Sequence, residues 1–229
     1  MKAICWDFDG TLVHSHCLWS GSIWNAIKEA IPDTTITLDD VEPYTAGGFT
    51  WYTPENDYSD LVGERWWDHM NKYFKNICIS LGMDENIAQA ASIRVRAFVK
   101  NKENYHLYDD TIAVLETVKK MGYKNILLSN NYPDLCDVLA ELGLIRYFDS
   151  FVISAQIGYD KPRKEIFDYA KNLLPDIERY YMIGDSVSSD IAGGKKAGMT
   201  TILVHKPFHE MADHCFSSLE EICGILKKT

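Results

Sequence analysis

The chain has 229 residues, 46% of them hydrophobic and 24% charged, and a formal net charge of −10 at pH 7. That is enough apolar material for one large domain or for a core with a smaller companion. The acidic balance argues against broad attraction to nucleic acid or an anionic membrane, and no segment reaches the ~20 apolar residues of a membrane span, so the chain reads as soluble and cytoplasmic.

The first predicted element is Ala3–Phe8, an apolar run without polar alternation. Such a run suits a strand buried on both faces, as in a parallel sheet. From Ser15 to Val99 the periodicity is helical. Ile23, Ile27 and Ala30 mark one helix; Trp67, Met70, Phe74, Ile77 and Leu81 a second; Ile87, Ala91, Val95 and Phe98 a third. The polar stretch Lys100–Asn104 is a candidate hinge out of this insert.

Strands and helices then alternate. A helix is expected over Thr111–Met121, stopped by Gly122, and a strand over Asn125–Ser129. A second helix starts near Pro133, packs Leu135, Val138, Leu139 and Leu142, and stops at Gly143. A strand at Phe151–Ser154, a helix from Lys164 to Leu174 ahead of Pro175, and strands at Tyr180–Ile183 and Thr200–Val204 follow. Ser218 and Glu221 read as a capping box for a last helix with Leu219, Ile222 and Leu226. Strand–helix alternation of this kind implies right-handed crossovers and an α/β, doubly wound parallel sheet. The organisation expected is a core of residues 1–14 and 105–229, with 15–104 inserted as a helical cap. The six cysteines show neither CxxC nor CxxH spacing, which disfavours zinc and favours reduced, buried thiols.

Four segments at strand ends carry chemistry. Asp7-Phe8-Asp9-Gly10-Thr11-Leu12 places two carboxylates at i and i+2, and Gly10 lets the backbone leave sharply. One ionised carboxylate can attack while the other moves protons, and the pair can bind a hard cation. An incidental acidic turn is the plain alternative. Gly184-Asp185 and Asp190 bring further carboxylates to the same edge, where like charges demand a cation between them. An oxygen-only donor set suits Mg²⁺; for Asp190, helix capping competes. Ser129 ends its strand where its hydroxyl and the next N–H could hold a phosphate oxygen, or cap the helix at Pro133. Lys161, before Pro162, could neutralise nucleophile and phosphate, or simply be solvated.

Taken together, these segments resemble the four motifs of the haloacid dehalogenase (HAD) superfamily, in order and in strand placement. The resemblance covers the core, and the insert stands where that family carries a helical cap. It implies that Asp7 attacks phosphorus to form an aspartyl-phosphate and that Asp9 acts as acid and then base. It also implies Mg²⁺ held by Asp7, the Asp9 carbonyl and Asp185, with Asp190 behind them. Ser129, Asn130 and Lys161 would grip the phosphoryl group, with Thr11 counted among the phosphate-binding residues and orienting the Asp9 loop. His14-Ser15 and Asp109-Asp110 depart from the common pattern near the core–insert crossings.

The expected activity is thus Mg²⁺-dependent hydrolysis of a small phosphate monoester by a monomer or homodimer. An acid at Asp9 argues against carbon–halogen chemistry. A phosphonate-cleaving member would need a Schiff-base lysine in the cap, and Lys28, Lys72 and Lys75 read more simply as solvated. A sugar phosphomutase shares the core chemistry. A receiver-type phospho-acceptor also gathers acids, a hydroxyl and a lysine, but lacks an ~85-residue insert. Phosphoglycolate-like and nucleotide monophosphates lead among substrates. The Gly193-Gly194 pair weakly resembles nucleotidase-like members. Between Tyr44 and Phe74, Trp51, Tyr52, Tyr58, Trp66, Trp67 and Tyr73, with Gly47-Gly48, could form an aromatic clamp, although core packing is the stronger expectation.

Overall fold

The computed structural model describes residues 1–174 and 176–227; Pro175, the expected stop after the third core helix, lies outside the described residues. The chain enters through β1 (Lys2–Trp6) and a short β2 (Val13–His14). Four helices follow: α1 (Leu18–Ala30), α2 (Leu38–Thr45), α3 (Glu64–Ser80) and α4 (Glu85–Val99). A two-residue β3 (His106–Leu107) pairs antiparallel with β2, so both crossings of the insert run side by side.

The alternating part comprises α5 (Thr111–Lys120), β4 (Lys124–Ser129), α6 (Leu135–Glu141), β5 (Ser150–Ile153) and a one-turn α7 (Ser154–Ile157). It continues through α8 (Lys164–Leu173), β6 (Arg179–Gly184), a wide π turn at Val187–Ile191 and α9 (Ala192–Lys196). β7 (Thr200–Val204), β8 (His214–Phe216) and α10 (Ile222–Leu226) complete it. The main sheet has six parallel strands in the order β5-β4-β1-β6-β7-β8. β1 and β4 lie inside it, and their central stretches Ala3–Trp6 and Ile126–Leu128 are apolar because both of their faces are covered.

The expected doubly wound sheet is therefore present, with differences at its margins. β8 escaped the sequence reading because His214-Cys215-Phe216 is a short, half-buried edge strand. Ser154 opens α7 rather than ending β5. On α4 the buried stripe is Ala88, Ala91, Ser92, Val95 and Val99, so the expected Ile87 and Phe98 are displaced by one position and Ile87 is exposed. Glu221 accepts from the Ser217 and Ser218 N–H groups, but α10 begins only after it.

Within the insert, α1 and α3 both pack on α4. One hydrophobic core runs from the sheet (Ile4, Trp6, Phe8, Leu127) into the helices (Ile23, Trp66, Trp67, Phe74, Val95). Asp134, just before α6, accepts from the Trp67 indole at 2.8 Å and from Arg96 at 2.9 Å, and Arg96 also reaches Glu64 at 2.8 Å. Among the described residues, no helix is long and apolar enough to cross a membrane.

Candidate active site

Asp7 follows β1 at the carboxyl edge of the sheet, the position where open parallel sheets bind ligands. Its N–H donates to Ile183 O at 2.9 Å, extending the ladder by one residue. The chain then reverses: Leu12 N–H donates to Phe8 O at 2.9 Å and Gly10 N–H to Val13 O at 2.7 Å. Gly10 has φ +78, and a Cβ there would stand 2.4 Å from Asp185 Oδ2, so glycine is required both for the turn and for the approach of Asp185. His205, unremarkable in the sequence, sits between the Thr11 carbonyl at 3.1 Å and the Ser217 carbonyl at 3.2 Å and stacks on Tyr108 at 3.8 Å. It ties the turn to the end of the chain.

Lys161 lies at the centre, 1% exposed. Its Nζ meets Asp7 Oδ1 at 2.8 Å, Leu128 O at 2.8 Å and Asp190 Oδ1 at 2.7 Å. Asp7 and Leu128 accept hydrogen bonds from the ammonium, and the Asp190 carboxylate stands at ion-pair distance from it. Burial works against the charge, but Asp190 and Asp7 outweigh it and hold the pKa above the ordinary lysine value. Asp190 is fully buried and also accepts from Ser186 N–H at 3.0 Å. It stands in the π turn, so it is neither a helix cap nor exposed. A Cβ on Gly184 would lie 2.2 Å from Asp190 Oδ2.

Asp9 projects toward a neighbouring cavity. Burial foremost, then the charge of Asp7, pushes its carboxyl up to about 7, against the pull of a hydrogen bond from Asn131. That bond, Asn131 Nδ2 to Asp9 Oδ2, is 2.7 Å long, while Asp9 Oδ1 is buried without a partner among the described residues. Asn131 was not foreseen; its sole signal is adjacency to Ser129-Asn130. The foreseen neighbours sort differently. Ser129 is buried beside Asn131 and does not cap α6, which has no side-chain cap. Asn130 spends its side chain on the Lys161 backbone, accepting from N–H at 2.7 Å and donating to the carbonyl at 3.0 Å, so it orients Lys161 rather than reaching outward. Thr11 is 0% exposed, and its hydroxyl is buried without a hydrogen-bond partner among the described residues.

Carboxylate oxygens of Asp7, Asp185 and Asp190 lie within 4.8 Å of one another. Burial and Asp7 raise Asp185 as well, partly countered by Lys206, whose Nζ is 3.3 Å from Asp185 Oδ2. Four acids against Lys161 and a half-exposed Lys206 leave negative charge uncompensated at a place of low dielectric. Hard oxygen donors with an orphaned oxygen beside them fit a divalent cation of the Mg²⁺ kind.

Next to Asp9, a cavity of about 300 Å³ is lined by Asp9, Ser15, Leu18, Trp19, Trp51, Asn130 and Asn131. The aromatic segment divides here. Trp66 and Trp67 are buried core residues, and Tyr73 fills the space left by Gly48, donating to the Gly47 carbonyl at 3.0 Å. Trp51 faces the cavity. Gly193 and Gly194 are explained by packing: Cβ atoms there would meet Phe167 at 2.5 Å and Met182 at 2.8 Å.

Comparison with known proteins identifies a family and a fold. The sequence profile of the haloacid dehalogenase-like hydrolases matches residues 1–198. Pyrimidine 5′-nucleotidase YjjG of Escherichia coli is 30% identical over 75% of this chain and 82% of its own length. Glyceraldehyde 3-phosphate phosphatase of Methanopyrus kandleri is 28% identical over 90% of this chain and 84% of its own. The magnesium-bound structure of YfnB from Bacillus subtilis superposes with a TM-score of 0.75 at 21% identity, covering 99% of this chain and 98% of that one. A 2-haloacid dehalogenase from Pseudomonas syringae reaches 0.72 at 18%, covering 100% and 99%.

Proposed function

Because the chain belongs to the haloacid dehalogenase-like hydrolases, we propose that it is a Mg²⁺-dependent phosphatase acting on a small phosphate monoester through an aspartyl-phosphate on Asp7. Asp9 carries the reading: a carboxyl two residues from the nucleophile, raised to about 7 and facing a cavity, suits an acid that must later become a base. A neighbouring fold hosts dehalogenation, so the fold alone does not decide the chemistry. The curated relatives are named as a nucleotidase and a triose phosphatase, which supports monoester hydrolysis and leaves the alcohol open.

In this reading the Asp7 carboxylate bonds to phosphorus as the ester P–O bond breaks, and Asp9 delivers its proton to the departing alkoxide. Asp9 then takes a proton from the water whose oxygen attacks phosphorus, breaking the Asp7–phosphorus bond and releasing inorganic phosphate. Lys161 holds Asp7 Oδ1 and places positive charge where the phosphoryl oxygens develop negative charge. Ser129 supplies a hydroxyl at the same edge. Asp7, the Asp9 carbonyl and Asp185 would hold Mg²⁺, backed by Asp190, and the ion would neutralise charge on the transferring group. Residues 15–104 serve as a cap over the core of 1–14 and 105–229, excluding water from the reacting centre. Six free cysteines suit a reducing, cytoplasmic setting.

The test is steady release of inorganic phosphate from p-nitrophenyl phosphate with Mg²⁺. Turnover should stop with chelator and in Asp7→Asn, whose amide cannot attack. Substantial activity in Asp7→Asn, or a single phosphorylation without turnover, would overturn the proposal.

A further inference from the structure

Histidines gather on the two crossings between the core and the inserted helices. His14 of β2 and His106 of β3 are directly opposed in the antiparallel register, and His16 follows two residues after His14. The His14 ring stands 5.4 Å from that of His106 and 5.6 Å from that of His16, centroid to centroid. Two imidazoles bound at ~2.1 Å to one tetrahedral ion have centroids roughly 5 Å apart. The spacing is therefore that of a chelate.

His14 is half-buried, whereas His16 and His106 are exposed and have room to turn. None of the three is hydrogen-bonded or ion-paired among the described residues, in contrast to His205, whose two nitrogens both face carbonyls. The ring nitrogens are not yet converged: donor atoms already within 4.8 Å of one another are those of the acid trio in the active site. Rotation of the exposed His16 and His106 side chains would bring their nitrogens toward His14. Donor chemistry also separates this cluster from the acids. Carboxylate oxygens suit Mg²⁺, whereas neutral imidazoles suit Zn²⁺ and Ni²⁺. The cysteine spacing offers no zinc site, but three imidazoles with water in the fourth position need no thiolate.

Position gives such an ion its consequence. Shared by His14 and His106, it would cross-link β2 to β3 and so fix the base of the insert. The His14 ring lies 5.2 Å from Tyr108, Tyr108 stacks on His205 at 3.8 Å, and His205 meets the Thr11 carbonyl at 3.1 Å. The cluster thus ends an aromatic row that begins at the turn carrying Asp7 and Asp9.

We propose that His14, His16 and His106 form a site for a divalent cation of the Zn²⁺ class, separate from the carboxylate site, which staples the two crossings together.

The experiment titrates Zn²⁺ calorimetrically into the untagged full chain carrying Asp185→Asn, in excess Mg²⁺, so that the carboxylate site does not contribute. One Zn²⁺ per chain should bind and raise Tm. His14→Ala or His106→Ala in that background should weaken binding by at least ~10-fold, the lower end of what losing even a supporting partner of a ligand costs. The same variants should remove the rise in Tm. Co²⁺ in place of Zn²⁺ should give the visible absorption of a tetrahedral nitrogen-ligated ion, and the variants should lose it. His16→Ala, at an exposed position, keeps the test decisive if replacing the half-buried His14 disturbs the ribbon. No Zn²⁺ binding in the Asp185→Asn chain, or binding of equal strength in the histidine variants, would overturn the proposal.

Discussion

Asn131 donates a 2.7 Å hydrogen bond to the carboxylate of Asp9, joining the loop after β4 to the loop after β1. The bond favours the ionised form and opposes the burial that raises Asp9. It both aims the carboxyl and keeps its protonation within reach of neutral pH.

Asn131→Ala should therefore shift the pH–kcat/KM profile toward the alkaline side, because loss of the bond raises Asp9 further. Activity at pH 6 should fall by roughly 10-fold, within the usual span of acid–base assistance. An unmoved profile with reduced activity would assign Asn131 a purely structural role.

Asp9 also makes a stability prediction for the metal-free protein. Its folded pKa of about 7 exceeds the unfolded value of about 3.9, so its contribution is favourable below pH 4 and is lost as pH rises through 7. Asp9→Asn removes that loss. In chelator, the variant should match the wild type near pH 4 and exceed its Tm at pH 8 by roughly 3–10 °C. Equal Tm values at pH 8 would contradict the buried, raised carboxyl.

Gly184→Ala would place a methyl 2.2 Å from Asp190 Oδ2 and force that carboxylate off Lys161. Removing one partner of a buried ion pair costs about 3–5 kcal/mol. Activity should fall at least ~100-fold, as positioning losses do. Gly224→Ala, with no neighbour among the described residues within 4 Å of the added atom, should instead be neutral or stabilising by about 0.5–1 kcal/mol. Urea melts of the two variants separate these effects.

Mg²⁺ should raise Tm in a concentration-dependent manner, since a cation held by the folded acid cluster and not by the unfolded chain stabilises the fold. Asp185→Asn should abolish the rise. A Tm insensitive to Mg²⁺ in the wild type would deny the site its cation without any assay of turnover.

Asp134→Ala leaves the Trp67 indole and the Arg96 guanidinium without their shared acceptor. A loss of about 1–3 kcal/mol is expected, as for a deleted hydrogen-bonding partner. The contact lies between helices α3, α4 and α6, so the urea midpoint should fall while turnover at 25 °C changes little.

Much of this was legible in the residues. The apolar runs at Ala3–Phe8, Asn125–Ser129, Tyr180–Ile183 and Thr200–Val204 are strands because burial on both faces leaves no room for polar alternation, a local constraint written in composition. The Asp7/Asp9 pair was legible for the same reason: two acids and a glycine at a strand end have few purposes. Lys161 was visible as a type of residue, but not as a buried hub between Asp7 and Asp190.

Partners distant along the chain were set by packing. Asn131 meets Asp9, His205 meets Thr11, and Lys206 meets Asp185, each pair joining loops that follow different strands of the sheet. No periodicity records such meetings, because they depend on which strands become neighbours. The division of the aromatic segment is of the same kind: Trp66 and Trp67 went into the core and Trp51 onto a cavity wall, although adjacent spacing treats them alike. Sequence by itself determined the sheet, the acids and their order, because those follow from local burial and turn chemistry. Tertiary structure alone decided how Asp9 is held, what compensates Asp190 and which tryptophans line the cavity, because those follow from distances between strands and helices far apart in the chain.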